Sequence, residues 1–323
     1  MISKAATNFC ELFLQHDSVV NLEHPTVNLA SNYLDNPFFN ELAEELQLNG
    51  AAVTLYDLNS DEDLLFSRLA LHSNNQITFV FYDVIPNTFL YDDKFYRRLI
   101  PYLEADYGAD LPKQIFTFLN ISEFIRDIYL ERLSSHQCRH RSLIQALDSA
   151  EIISLIAFGT EVVIPTNRLS SWEKTLGLHG SFFPSEITSF SPDINGQFNF
   201  QGLILGVLPF TEKYGLITKT VELKIVKSNV IDIKTSDAAL AQDLDSYFSR
   251  SSDNCTINEI GIGTNIGLRR LRPVNAFAQE RYPGFHLGFG GSENRSIHMD
   301  FIFSDSQIKT DKGMVFSAGE FFL

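Results

Sequence analysis

Apolar and polar positions change their period along the chain. In the first 150 residues, segments with apolar positions three and four apart alternate with short, continuous apolar runs. Asn40–Leu48 (NELAEELQL), Ser60–Leu71 (SDEDLLFSRLAL), Lys94–Tyr107 and Lys113–Leu133 carry the helical spacing. The second of these opens on a capping serine and acidic first-turn residues, a helix-start signal. Ala51–Tyr56 (AAVTLY) and Gln76–Tyr82 (QITFVFY) predict short buried strands. Strands alternating with helices predict an α/β layer around a parallel sheet.

After Ser142–Ala150, which reads as a helix, the texture changes. Ile152–Phe158, Glu161–Ile164, Gln197–Leu208, Leu216–Val226 and Val230–Lys234 are β-like runs parted by Gly, Asn, Pro and Asp, interrupted by one helix at Ser236–Ser249. The last 70 residues have the glycine-rich pattern of turns between strands. The expectation is a two-domain α/β and α+β protein: an N-terminal α/β domain with a parallel sheet over 1–150, and a β-rich domain over 151–323, with the boundary near 148–152. No GxGxxG or GxxxxGK[ST] stands at a strand–helix junction, so no nucleotide site has local support.

Composition narrows the classes. The 323 residues are 44% hydrophobic and 20% charged, which is a globular composition with material for a sizeable core. The 28 phenylalanines read as core, because no basic stretch interleaves with them as a base-stacking platform requires. A net charge of −15 argues against nucleic acid, since phosphate binding needs clustered Lys and Arg. No apolar stretch approaches the ~18 residues of a membrane helix, and the first residues lack a secretory h-region. Cys10, Cys138 and Cys255 are odd in number and far apart, so no disulfide framework is suggested. A reduced cytoplasm is the expected compartment.

The candidate chemistry lies in the second half. His298 and Asp300 are two apart in SIHMDFIF, a strand-like run, so both side chains share a face. Taken alone the pair reads as a structural His–Asp bond, because buried charge must be satisfied. Glu259 in NEIGIGTN is followed by glycines that permit close approach of a ligand. Glu186 lies in FFPSEITSFSP and His286 in PGFHLGFGG. Each glutamate alone reads as surface or cap. Together the five residues offer three carboxylates and two imidazoles. That donor set suits Zn²⁺, Mn²⁺, Co²⁺ or Fe²⁺ rather than an all-oxygen Ca²⁺ site. Five ligands exceed one tetrahedral zinc with an open position and fit two metals sharing a carboxylate.

Four segments, in order over residues 150–323, carry a resemblance. FFPSEITSFSPDINGQFNFQG, NEIGIGTN, ERYPGFHLGFGG and SIHMDFIF, with DKGMVFSAGEFFL closing the chain, resemble motifs of the leucyl aminopeptidase family typified by aminopeptidases T and S. The resemblance implies metal ligands at Glu186, Glu259, His286, His298 and Asp300, catalytic roles for Glu259 and Glu186, and two divalent ions (Zn, Co or Mn). It also implies a dimer acting on a peptide or aminoacyl substrate by metal-activated water. A related protein, 2,5-dihydroxypyridine dioxygenase, is similar in the H-x-D strand and implies instead one non-haem Fe(II) on a His/His/Asp set. A third reading is a metal-binding relative with altered catalysis.

The sequence departs from the aminopeptidase pattern around His286. The expected Gly-Thr is Gly284-Phe285, no tyrosine follows Tyr282, and His298 comes only 12 positions after His286. Ser292–Arg295 stands where the missing pocket wall would be. Among other polar features, Ser135–Arg141 (SHQCRHR) reads as a solvated basic turn rather than a metal site. Arg269 and Arg270 read as solvated surface or as a clamp for a substrate carboxylate. His16, His24, His72 and His179 have no partner in the sequence pattern.

Overall fold

Four short apolar runs align in parallel in the first part of the chain: β1 (Thr26–Ser31), β2 (Ala52–Asp57), β3 (Gln76–Tyr82) and β4 (Ile115–Leu119), in the order β2-β1-β3-β4. The computed structural model describes residues 3–71, 75–84, 88–107, 114–293 and 296–323. They divide into two units, Met1–Ser134 with Leu176–Pro184, and Ser135–Thr175 with Ser185–Leu323. The parallel sheet belongs to the first unit, with helices α1 (Lys4–Gln15), α2 (Pro37–Leu48), α3 (Glu62–Leu69), α4 (Lys94–Tyr107) and α5 (Ile125–Ile128).

β3, with neighbours on both sides, is buried along its whole length. Two expectations fail in this unit. β2 is not a buried strand: it lies at the sheet edge, where Ala52, Thr54 and Leu55 are exposed and only Tyr56 is buried. The helix expected over Lys113–Leu133 is largely replaced by β4 and a turn; Lys113 itself lies outside the described residues. The run IFTFL fits either period, and pairing beside β3 decides in favour of the strand. Asn120, at φ 55, then ends it in the left-handed region that asparagine tolerates.

Phenylalanine fills this core. Phe9 stacks on Phe182 with centroids 5.6 Å apart, Phe81 on Phe118 at 4.4 Å, and Phe79 meets Phe182 edge-on at 4.9 Å. Such pairs contribute about 0.5–1.5 kcal/mol each beyond area burial.

The second unit is antiparallel. α6 (Leu133–Asp148) leads into β5 (Ile152–Ala157) and β6 (Thr160–Pro165). These join β15 (Gln307–Thr310), β16 (Gly313–Ser317) and β17 (Glu320–Phe321) in a five-stranded sheet. The larger, eight-stranded sheet comprises β7 (Glu173–Thr175), β8 (Glu186–Ser189), β9 (Gly196–Gly206), β10 (Ile217–Val226), β11 (Asn229–Thr235), β12 (Ile257–Gly263), β13 (Gly284–Phe289) and β14 (Met299–Phe303). Its order is β11-β10-β9-β14-β13-β12-β8-β7. α7 (Phe210–Tyr214) and α8 (Ala238–Phe248) complete the unit, the latter capped by Asp237, which accepts from the Leu240 amide.

Alternation sorts the large sheet into two faces. Ile260, Ile262, Phe285, Leu287, Phe289, Met299, Phe301 and Phe303 enter a core shared with Phe198, Phe200, Leu240 and Leu244. The residues between them on β12, β13 and β14 point the other way, and the candidate chemistry stands there. Among the described residues no helix is long and apolar enough to cross a membrane.

Candidate metal centre

Four adjacent central strands supply the site. On β13, Gly284, His286 and Gly288 alternate with core residues, and on β14 Asp300 does the same. Register then sets neighbours: His286 lies opposite Gly261 and Ile302, Asp300 opposite Gly288, and Glu186 of β8 opposite Gly263. Glu259 reaches this face through a register shift between Ile257 and Glu259. Ile257 has the same parity yet is buried in the core. The extra residue re-aims the chain, as a bulge does.

The five residues are brought together. His286 Nε2 lies 3.0 Å from Glu186 Oε1 and 3.3 Å from Glu259 Oε1. His298 Nε2 lies 3.0 Å from Asp300 Oδ1. Two groups of three donors result, Glu186/Glu259/His286 and Glu259/His298/Asp300, with the ligand atoms of each within 4.8 Å of one another. Glu259 belongs to both. His298 pairs its Nδ1 with the Gly290 carbonyl at 3.3 Å, which fixes that nitrogen as the donor and leaves Nε2 facing the carboxylates.

Glycine makes the space. A Cβ on Gly261 would overlap the His286 imidazole, and one on Gly288 would lie 2.8 Å from His298 Cε1 and 2.9 Å from Glu259 Cβ. No larger residue fits either position without displacing a donor.

The electrostatics show what the donor set wants. Burial works to lower the His286 pKa, but Glu186 and Glu259 carry it well above the usual imidazole value. Burial opposes the His298 proton too, and Asp300 lifts that group to about 10. Burial raises Asp300, yet its hydrogen bond with His298 holds it below the usual carboxylate range. Glu186 Oε1 is buried and makes no hydrogen bond, although His286 Nε2 is 3.0 Å away. Carboxylates and imidazole nitrogens gathered in two adjoining groups fit divalent cations in place of the protons.

Two residues that sequence reasoning missed complete the cluster. Arg281 Nη1 forms a short ion pair with Glu186 Oε2 and another of 3.0 Å with Glu280 Oε2. Burial opposes the Arg281 charge and Glu186 restores it, whereas burial and the nearby Asp300 hold the Glu280 pKa well above its usual value. The signal was present in ERYPG, two charged residues leading into a buried strand. Asp253 was also missed. It accepts from the Ser292 amide at 2.9 Å, from Asn258 Nδ2 at 2.9 Å and from the Ser292 and Ser296 hydroxyls, and so anchors the segment before His298. Of the proposed pocket wall at 292–295, Asn294 and Arg295 lie outside the described residues.

The basic turn expected at Ser135–Arg141 is instead part of α6. Its i,i+4 spacing puts His136 and His140 on one buried face, 1% and 0% exposed, while Cys138 is exposed. His136 Nδ1 lies 2.7 Å from Ser185 Oγ, Ser185 Oγ lies 2.6 Å from Thr264 Oγ1, and His140 Nε2 lies 2.9 Å from Thr264 Oγ1. Arg269 and Arg270 are exposed. His16 is buried and stacked on Phe182, His179 meets Asp17, and His72 lies outside the described residues.

Burial, then the neighbouring His136, lowers the His140 pKa to about 3. The unfolded chain therefore binds the extra proton between pH 3 and 6.5, and stability falls as pH drops through that window. The cost is about 1 kcal/mol per pH unit from this group. Urea unfolding of the wild type and His140→Gln at pH 5.5 and 7.5 checks it: the variant should lose less stability on acidification, and equal losses would contradict it.

Fold and site together define a class: a two-domain chain with a parallel α/β unit and an antiparallel unit that carries candidate metal donors on its large sheet. This is an aminopeptidase-T-like fold. Wild-type AmpT from Thermus thermophilus matches at a TM-score of 0.59 and 10% identity, over 100% of this chain and 100% of that one. The structure of 2,5-dihydroxypyridine dioxygenase from Pseudomonas putida KT2440 matches at 0.54 and 15% identity, over 99% of this chain and 98% of that one. At such identities the likeness is one of fold. By sequence, the chain belongs to the family described as crocagin biosynthetic protein CgnE/B, whose model matches residues 145–311. That family stands in place of the aminopeptidase family to which the motifs pointed, and the likeness to the aminopeptidase is one of fold alone. No curated protein matches the sequence.

Proposed function

We propose that the protein is a divalent-metal-dependent hydrolase that cleaves an amide bond beside a free amino group of a peptide or aminoacyl substrate. The observation that carries this reading is the sharing of Glu259 between two three-donor groups on one glycine-cleared sheet face. Glu186, Glu259, His286, His298 and Asp300 would hold two ions of the Zn, Co or Mn type. Such a pair, when bound, supplies a polarised carbonyl and a water ionised near neutral pH. The chain supplies the rest. Glu186, held by Arg281 and lying in one donor group rather than both, would be the non-bridging carboxylate that takes up the proton of an attacking water. The acidic lining suits the substrate ammonium.

Membership in a family described as crocagin biosynthetic protein supports a substrate drawn from biosynthesis rather than from protein turnover. A homodimer in a reduced cytoplasm belongs to the same proposal, on the resemblance alone.

Aminoacyl anilides, offered to protein loaded with Zn²⁺, Co²⁺ or Mn²⁺, test it. Release of the chromogenic amine, abolished by Glu259→Gln, is expected. Failure to hydrolyse any aminoacyl or dipeptide substrate would overturn the reading. Oxygen uptake with Fe²⁺ and a catecholic or hydroxypyridine substrate would transfer the site to the single-iron chemistry of His286, His298 and Asp300, which leaves Glu259 unused.

A further inference from the structure

Directly before Glu186 stands a residue in an unusual conformation. Ser185 has φ 100, a value that favours glycine, and is 0% exposed. Both of its backbone groups are used: its amide donates to the Thr175 carbonyl at 2.9 Å, and its carbonyl accepts from the Thr264 amide at 2.8 Å. Its hydroxyl sits between His136 Nδ1 and Thr264 Oγ1, and Thr264 Oγ1 continues the chain to His140 Nε2. A serine at a φ where glycine would be unstrained carries a backbone cost that the bonds of its buried hydroxyl offset. Here the hydroxyl ties α6 to the residue that follows β12, at the point where β12 pairs with β8 through Gly263 and Glu186.

We propose that Ser185 is a positioning residue whose hydrogen-bonded hub with His136, Thr264 and His140 holds the Glu186 carboxylate against His286 and thereby sets the metal affinity of the Glu186/Glu259/His286 group. This rests on the metal reading above. The backbone at Ser185 fixes the direction in which β8 starts, and Glu186 is its first residue. A change of φ at 185 towards the ordinary negative region swings the Glu186 side chain away from the sheet face. The hub prevents that change, because the hydroxyl, the amide and the carbonyl are all held at once. Arg281 pairs with Oε2 and His286 Nε2 lies 3.0 Å from Oε1, and the backbone at Ser185 sets the point from which the carboxylate reaches both.

Calorimetric titration of the metal-free protein with Zn²⁺ alone tests the proposal, using wild type, Ser185→Gly and Thr264→Val. Both variants should bind one equivalent about tenfold or more weakly and the other as the wild type does. The melting temperature of metal-free Ser185→Gly should stay close to that of the wild type, since the strain relieved at φ 100 offsets the hydroxyl's lost hydrogen bonds. A merely structural role predicts the reverse, a lower melting temperature with affinity intact. Ser185→Gly that binds both equivalents at wild-type affinity overturns the proposal. Wild-type protein that takes up no Zn²⁺ overturns the metal reading instead. Positioning is then decided by crystal structures of wild type and Ser185→Gly: a Glu186 carboxylate displaced from His286 supports it, and superimposable carboxylates refute it.

Discussion

Glu259→Gln is expected to weaken binding of both metal equivalents by more than a hundredfold and to abolish hydrolysis. Loss of a residue that only orients a ligand costs ten- to a hundredfold in affinity, and Glu259 is itself a donor in both groups. His298→Ala, by contrast, removes a donor from one group alone and should leave the first equivalent bound. The apo fold should be nearly indifferent to Glu259→Gln. The side chain is 30% exposed, and its partner His286 keeps Glu186 within 3.0 Å, so the change in stability should be within about 1 kcal/mol. Calorimetric titration and thermal melting of the same samples separate affinity from folding. Two tight equivalents in the variant would mean that Glu259 is a ligand of neither ion.

Gly261→Ala should destabilise the protein by about 1–3 kcal/mol and eliminate binding at the Glu186/Glu259/His286 group. The added methyl overlaps an imidazole that is 1% exposed, on a strand paired with β12 on one side and β14 on the other. The backbone conformation at Gly261 is not left-handed, so the cost is steric and comes from the ring. Urea unfolding and metal titration of the variant test the two effects together. An alanine tolerated with full metal affinity would mean that His286 does not need its present position.

The large sheet shows why parts of this site were legible in the sequence. His298 and Asp300, two apart in an apolar run, could be assigned to one face because strand alternation is local. Glu186 and His286 could be selected only as members of an ordered set of segments, since nothing within either segment reveals the partner strand. Glu259 illustrates the limit. Its parity matches that of Ile257, and only the register shift, a property of the pairing with β13, turns it to the site face. Arg281 and Asp253 escaped for a related reason: each acts through partners 95 and 39 residues away, on strands and loops whose neighbours the sequence does not specify.

The fold divides in the same way. Alternating elements in the first unit and short strands in the second follow from period and punctuation. β4 did not, because an aromatic and β-branched run of five is compatible with either period until its neighbour is known. The burial of His136 and His140 was hidden by the charges around them. On a helix, Cys138 faces solvent while positions four apart share the buried side and Arg139 reaches the Thr264 carbonyl, and a basic composition says nothing about which side is which.

The central claim is that two cations share Glu259, and anomalous diffraction from crystals equilibrated with Zn²⁺ measures it directly. Two peaks about 3.5–4 Å apart are expected, one among Glu186, Glu259 and His286 and the other among Glu259, His298 and Asp300. A single peak held by His286, His298 and Asp300 without Glu259, or no peak at all, would contradict it.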